Sequence, residues 1–460
     1  MSFRLLPLVL LSSACAAVGD SADMEPSRFE LAEVRHPAVS VVERYEVAVP
    51  LREALGYAGV HAAAFPKGLP FAPGSGLALK QVDQDGNLVF WALGDRGPNG
   101  DSPKVQVSGR KTDSKVFMTP DFVPRLAEIR LQRKRGAEVV RTLPLSHDGQ
   151  PMSGLPLPPG QTGATGEIPL ADTLATLPYS ARGIDPEGVA VGKDGTLWIV
   201  DEYGPFLAQV DSQTGRILRK LAPGSGLPAE IAARQPNRGF EGVAVTPNGK
   251  VYAAVQSTLD IDGKTKGSAL FTRIVELDPK SGAVRQLAYP IDVAAYKKSG
   301  DAKLGDLVAV SDTQLLLIEQ GKDKHGTMRN IIYAIDISGA DDVGARRSKD
   351  GKALEYAGAA ELKTVKLIRK QKILDLREIG WTAEKAEGLA LIDGGLALIN
   401  DNDFGLTTTV DGDKGDNAGA YIIDAGRLSH RGRLSVKANH EPTQLWLLQL
   451  KQPLATFFPK

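Results

Sequence analysis

The chain has 460 residues, 42% of them hydrophobic and 24% charged, with 49 Gly, 29 Pro and Lys plus Arg equal to Asp plus Glu at 55 each. Such a length calls for several domains or one large repeat architecture, and the glycine and proline content means many turns and few long helices. With no net charge there is no global field to draw nucleic acid or an acidic membrane surface, so a charged ligand must be held locally.

The chain opens with Arg4, an apolar run from Leu5 to Leu11 and small residues from Ser12 to Ala17, the pattern of a secretory signal over residues 1–17. The run is too short to stay in a bilayer as an anchor, and no later stretch is apolar enough to span one. Cys15 is the one cysteine. It stands where a lipoprotein cysteine would, but Ser12 occupies the position where a lipobox usually has Leu, so cleavage after Ala16 or Ala17 remains an alternative to a lipid anchor at Cys15. Both routes give an exported protein, periplasmic or tethered to the outer membrane, without disulfides. Residues 18–40 read as a linker and residues 41–455 as a single domain, expected to be a monomer.

Within that domain one pattern recurs, an acidic residue and Gly followed by apolar residues and Ala. Residues 185–202, 240–256, 305–320 and 386–403 align on it, and residues 76–96 form a looser copy. In each unit an apolar run leads to a turn such as Asp194-Gly195 or Asn248-Gly249 and then a second apolar run, which is a β-hairpin because those turns need positive φ. Further strands follow at Phe206 to Asp211, Ile217 to Leu221, Arg273 to Leu277 and Ala283 to Leu287. Four-stranded antiparallel sheets recurring roughly every 40–60 residues are the signature of an all-β propeller. Five blades are legible, and the terminal strands Val41 to Pro50 and Gln444 to Leu450 are expected to complete a closing one, giving six blades with seven as the alternative. The Pro- and Gly-rich stretch from Gln150 to Gly166 reads as an exposed loop.

The repeat makes distant acids equivalent in space. Glu187, Glu241 and Glu387 each precede a Gly at the start of an inner strand and should converge at one face of the central channel, with Asp306 at the related place in another unit. Asp95, Asp201-Glu202, Gln256, Glu319-Gln320 and Asp401-Asn402-Asp403 close the second strands and belong on the same rim. A turn does not need glutamate specifically, so its recurrence points to a shared site. Carboxylates without nearby Cys or paired His suit a hard cation, Ca²⁺, rather than zinc or copper. Arg96, Arg182 and Arg238 lie close to these acids in sequence, and Lys385 precedes Glu387; arginine suits an anionic ester, while ion pairs that orient the glutamates are the alternative. Asp411 to Asn417 and Asp260 to Gly263 read as surface turns, and no Gly-x-Ser-x-Gly elbow, phosphate loop or basic aromatic stripe is present.

Taken together, Gly94-Asp95-Arg96-Gly97, Asp185-Pro186-Glu187-Gly188, Trp198 to Gly204, Gly239-Phe240-Glu241-Gly242 and Glu387-Gly388 with Asn400 to Asp403 resemble the bacterial family described as esterase-like activity of phytase, exported propeller proteins. The resemblance covers roughly Gly56 to Asp424. It implies a propeller and a hydrolase of phosphate or carboxyl esters, with calcium; the small anionic ester as substrate is the expectation drawn from the acids and arginines of the rim. Two readings stand beside phosphate-ester cleavage: a lactone or carboxyl-ester hydrolase similar to gluconolactonases, and a non-catalytic envelope propeller that binds ligands.

Overall fold

The computed structural model describes residues 28–459. Residues 1–17, read as a signal, and Cys15 within them lie outside the described residues. Part of the stretch read as a linker is strand: Phe29–Glu33 pairs antiparallel with Val39–Ala48.

Sequence patterning explains the elements directly. Inner hairpins alternate small and branched residues because both faces of each sheet are covered by neighbouring sheets. In the second blade the strands Pro186–Val191, Leu197–Asp201, Phe206–Val210 and Ile217–Pro223 pair antiparallel in that order. The third is built the same way from Phe240–Val245, Val251–Val255, Phe271–Leu277 and Val284–Pro290. Lys303–Ala309, Gln314–Lys322, Met328–Asp336 and Arg369–Asp375 make the fourth. Leu77–Val82, Leu88–Leu93, Arg125–Gln132 and Gly136–Pro144 make the first. Gly195 and Gly249, at φ of 80° and 90°, take the left-handed conformation that their hairpin turns demand.

The all-β propeller expectation holds, but the count of six blades does not. Inner strands of the first, second, third, fourth and fifth blades neighbour one another in turn, and the fifth lies against the first, so the ring closes at five. The terminal strands add no blade of their own. Gly388–Ile392 and Gly395–Ile399 supply only the inner half of the fifth blade, and Gln444–Leu450 with Val39–Ala48 supply its outer half. The sequence unit at 386–403 and the closing strands are therefore one blade counted twice. Between its second and third strands this blade carries a separate ribbon, Leu406–Gly412 paired with Gly432–Ala438, and Asp411 to Asn417 are exposed at its tip.

Apolar contacts fill the spaces between blades. Phe90, Ile129 and Leu131 of the first blade share one cluster with Leu445, Leu447 and Ile399 of the fifth. Trp198 and Val200 of the second pack with Val243, Val251 and Val275 of the third.

The inner strands approach one another closely where they begin, and glycine makes that possible. A Cβ on Gly188 would lie 2.6 Å from Glu241 O, one on Gly242 would lie 2.6 Å from Gly305 O, and one on Gly388 would lie 2.6 Å from Leu77 Cβ. Only hydrogen fits at these positions. Asp306 is buried within this ring: its Oδ1 accepts from Leu307 N and its Oδ2 from Leu389 N, both at 2.8 Å. Backbone N–H groups of Val243 and Leu77 also favour its ionised form, against the burial that raises its pKa. One carboxylate thus gathers backbone donors from four blades. Beyond it the bore is apolar, a cavity of about 200 Å³ lined by Leu79, Val191, Val245, Ala309 and Leu391 among others.

Gly242→Ala should lower unfolding stability by about 1–3 kcal/mol, because backbone atoms cannot yield to the new methyl as a side chain would. Gly56→Ala, with nothing within 4 Å of the added Cβ, should change it by less than about 0.5 kcal/mol. Urea titration of the two variants checks this, and equal effects would remove the steric account of the glycine ring.

Candidate active site at the channel mouth

Two local devices aim the glutamates. Glu187 and Glu241 sit at irregularities in strand register, between Pro186 and Gly188 and between Phe240 and Gly242. A β-bulge re-aims its extra side chain. The glycine after each glutamate lets the neighbouring backbones close in. Carboxylate oxygens of Glu187, Glu241 and Glu387 consequently lie within 4.8 Å of one another, and all three residues are buried. A second set, Asp95, Asp185 and Glu187, meets the same distance and shares Glu187.

Surrounding residues treat these acids differently. Glu241 Oε2 accepts from Gln256 Nε2 at 2.6 Å, and the same amide reaches Glu202 Oε1 at 2.9 Å. Glu387 has Lys385 Nζ at 3.9 Å. Asp95 Oδ1 accepts from Gly97 N at 2.7 Å. Asp185 Oδ1 accepts from Arg96 N at 3.1 Å, while its Oδ2 has Arg96 Nε at 3.6 Å and no hydrogen-bond partner. Among the described residues no hydrogen bond or ion pair reaches the Glu187 carboxylate.

Burial and mutual repulsion together push the acids up. Burial raises Glu387 to about 8 against the opposing pull of Lys385, and raises Asp185 to about 7 against Arg96. Glu187 is held well above the usual carboxylate range by burial and then by Asp185 and Glu241. For Glu241 the causes are burial, then Glu202 and Glu387; for Asp95 they are burial, then Asp185 and Asp401. Like charges this close in a dry site cannot all ionise without a proton or a cation between them.

The structure does not bring together every residue expected at the rim. Asp201 Oδ1 accepts from the backbone of Asp185 and Tyr203, so it braces the strand ends, with Lys220 at 3.9 Å from its other oxygen. Asp401 is engaged by Lys385, which also reaches Asp403 at 3.1 Å. Neither Asp201 nor Asp401 joins either converging set, and Glu202 joins only through Gln256. Arg96 is buried between Glu167 at 3.4 Å and Asp185. Arg238 gives its Nη1 to Gly300 O and Ser257 Oγ. Arg182 is exposed, donates to Pro151 O at 2.9 Å and makes no ion pair with the acids among the described residues. The arginine placement therefore follows the orienting alternative more than the clamp. The reason lies in the Pro- and Gly-rich stretch, which is not an exposed loop throughout: Leu155 and Leu157 are buried, Gly154 O accepts from Tyr203 Oη at 2.5 Å, and Glu167 just beyond it takes Arg96.

Sequence reasoning missed Asp185 and Lys303 as members. Asp185 stands in the same Asp-Pro-Glu-Gly motif, two residues before Glu187, which is the signal that was available. Lys303 begins the fourth inner strand and acts electrostatically on both Glu241 and Glu387. It forms no ion pair among the described residues, so it is the rim cation least committed to the protein itself.

Fold and site define a five-bladed propeller whose channel mouth is a buried carboxylate cluster with lysine and arginine around it. Residues 70–404 match the phytase-like family described as "Esterase-like activity of phytase", and the chain belongs to that family. An uncharacterized secreted protein of Arthroderma benhamiae is 28% identical over 242 residues, 42% of this chain and 46% of that one. The match thus spans about half the length of that curated relative. A gluconolactonase from Xanthomonas campestris is 9% identical at a TM-score of 0.29, covering 83% of this chain and 97% of its own. The virginiamycin B lyase of Staphylococcus aureus is 12% identical at 0.28, covering 70% and 91%. The fold assignment rests on the strand pairing above. Among the described residues no helix is long and apolar enough to cross a membrane.

The raised carboxylates set a pH signature. An unfolded Glu or Asp titrates near 4.5 or 3.8, whereas folded Glu387 and Asp185 titrate at about 8 and about 7. The folded protein therefore binds more protons than the unfolded one across that interval, and stability from these groups is present below pH 4 and lost as pH rises toward 8. Chelator-treated protein should show a melting temperature that falls over this window, and Glu387→Gln should flatten the fall. An unchanged slope in the variant would contradict the assigned environment of Glu387.

Proposed function

We propose that the chain is an exported, calcium-dependent hydrolase that cleaves small phosphate esters at the channel mouth. The observation that carries the reading is the convergence of Glu187, Glu241 and Glu387, buried, with Glu187 lacking any partner among the described residues. An all-carboxylate donor set fits a hard divalent cation, and Glu187, Glu241 and Glu387 would hold it. When bound, the cation supplies Lewis-acid polarisation of the ester and stabilises the charge that develops on it.

The remaining work falls to the chain's own side chains. Gln256 fixes Glu241 and Glu202 with one amide, so the two carboxylates keep a set spacing. Glu202, half-buried at the rim, would accept a proton from the attacking water. Lys303, which acts electrostatically on Glu241 and Glu387, would neutralise an incoming anion. Arg96, held by Glu167 and Asp185 and lying 5.6 Å from the centre of the Tyr203 ring, keeps Asp185 in position. Gly154 and the buried loop around it shield this flank from water.

A second reading is supported by the commitment of Arg96 and Arg182 to protein partners. With fewer arginines free than the sequence suggests, a carboxyl ester or lactone, which demands less positive charge than a phosphate, also suits the mouth. Export is supported by the signal pattern at residues 1–17 and by the relative described as secreted.

Purified protein should hydrolyse p-nitrophenyl phosphate with calcium and lose that activity in chelator. Glu241→Gln should cut kcat/KM by about 100-fold or more. Turnover of p-nitrophenyl acetate alone would replace the phosphoesterase reading with the second one, and turnover of neither ester would leave a binding protein.

A further inference from the structure

The carboxylates at the mouth form two sets with one member in common. Glu187, Glu241 and Glu387 start inner strands of the second, third and fifth blades and surround the channel axis. Asp95 and Asp185, at the junction of the first and second blades, complete the other set with Glu187, and in each set the oxygens lie within 4.8 Å of one another. Glu187 is only 7% exposed and Asp185 only 1%. No described residue hydrogen-bonds to or pairs with the Glu187 carboxylate, and Asp185 Oδ2 has no hydrogen-bond partner.

Protein charges do not balance the second set. Arg96 is divided between Glu167 at 3.4 Å and Asp185 at 3.6 Å, so one guanidinium serves two carboxylates. Asp95 receives a backbone N–H from Gly97 and no ion pair among the described residues. Leaving such groups buried and unpaired is costly, and a cation or a proton is needed at each set. A carboxylate has two oxygens with lone pairs on each, so one standing between two sets can serve both.

We propose that Glu187 bridges two divalent cations of the calcium class, one held with Glu241 and Glu387 and a second with Asp95 and Asp185. The proposal rests on the reading that the mouth binds a cation at all. Its consequence is selectivity: two neighbouring cations favour a ligand presenting two anionic oxygens, a phosphate ester, over a neutral acyl ester that presents none. The second cation supplies the positive charge that the committed arginines do not.

The test is calorimetric titration of calcium into the chelator-stripped full chain at neutral pH, read as ions bound per chain. Two ions are expected. Asp185→Asn, which keeps an oxygen for the Arg96 N–H, and separately Asp95→Asn should each leave one ion, while Glu187→Gln should weaken binding of both by at least tenfold. One ion in the unmodified chain, unaffected by either aspartate variant, overturns the bridged pair and leaves the single-cation reading standing. Two ions that survive in both aspartate variants also overturn it, since the second would then sit elsewhere. No binding at all overturns both readings. If one aspartate variant fails to fold, the other decides.

Discussion

Close approach of five strand starts around one axis is the constraint from which the rest of this molecule follows. At that radius there is room for backbone and hydrogen but not for Cβ, and Gly188, Gly242 and Gly388 answer that demand. Residues just outside the glycines are forced together by the same closure. With Glu187 and Glu241 swung out of register, their carboxylates have nowhere to go but toward Glu387. The crowding of like charges is therefore a product of the steric limit, because the backbone that builds the ring also sets the distance between the acids.

Two buried acids in this small region show how differently the protein treats such a charge. Asp306 receives backbone N–H donors from several blades, which oppose the burial that raises its pKa, and its place is that of a pin through the ring. Glu187 receives no such donor. Both are deeply buried and both are raised by burial, so burial alone does not separate a structural acid from a functional one. The count of protein donors does. A carboxylate satisfied by N–H groups has no need of a ligand, whereas one left bare among other carboxylates needs an external positive charge.

Much of this was legible in the sequence because the repeat carries it. The inner hairpins at 185–202, 240–256, 305–320 and 386–403 lie as the alignment placed them, and the Glu-Gly starts that it made equivalent do converge. What failed did so where the pattern stops being local. The blade count was too high because the outer strands of the fifth blade come from opposite ends of the chain, a pairing of Glu43 with Leu447 that no local periodicity announces. The choice between a clamping and an orienting role for the arginines stayed open for a similar reason. Proximity to an acid in sequence says nothing of Glu167 or Pro151, which reach Arg96 and Arg182 from a loop whose buried leucines are embedded in turn-forming composition. Asp185 was hidden by its own motif, where Pro186 and Glu187 drew the reading away from it.

The same long-range pairing ties the site to completion of the fold. Glu387 stands at the entry to Gly388–Ile392, and among the described residues that strand pairs within its sheet with the hairpin partner Gly395–Ile399 alone. This partner leans on Gln444–Leu450, which in turn pairs with Val39–Ala48. Until both ends of the chain have met, the fifth inner strand has no outer sheet to support it, and the third carboxylate of the central set is not fixed. Glu187 and Glu241 belong to blades whose strands are contiguous in sequence and can form early, since local contacts close at lower entropic cost. Glu387 belongs to the blade whose outer strands come from both ends of the chain. The central carboxylate set is therefore complete only in the closed ring, where apolar contacts such as those of Trp446 and Leu448 with Leu396 and Leu398 oppose the repulsion it creates.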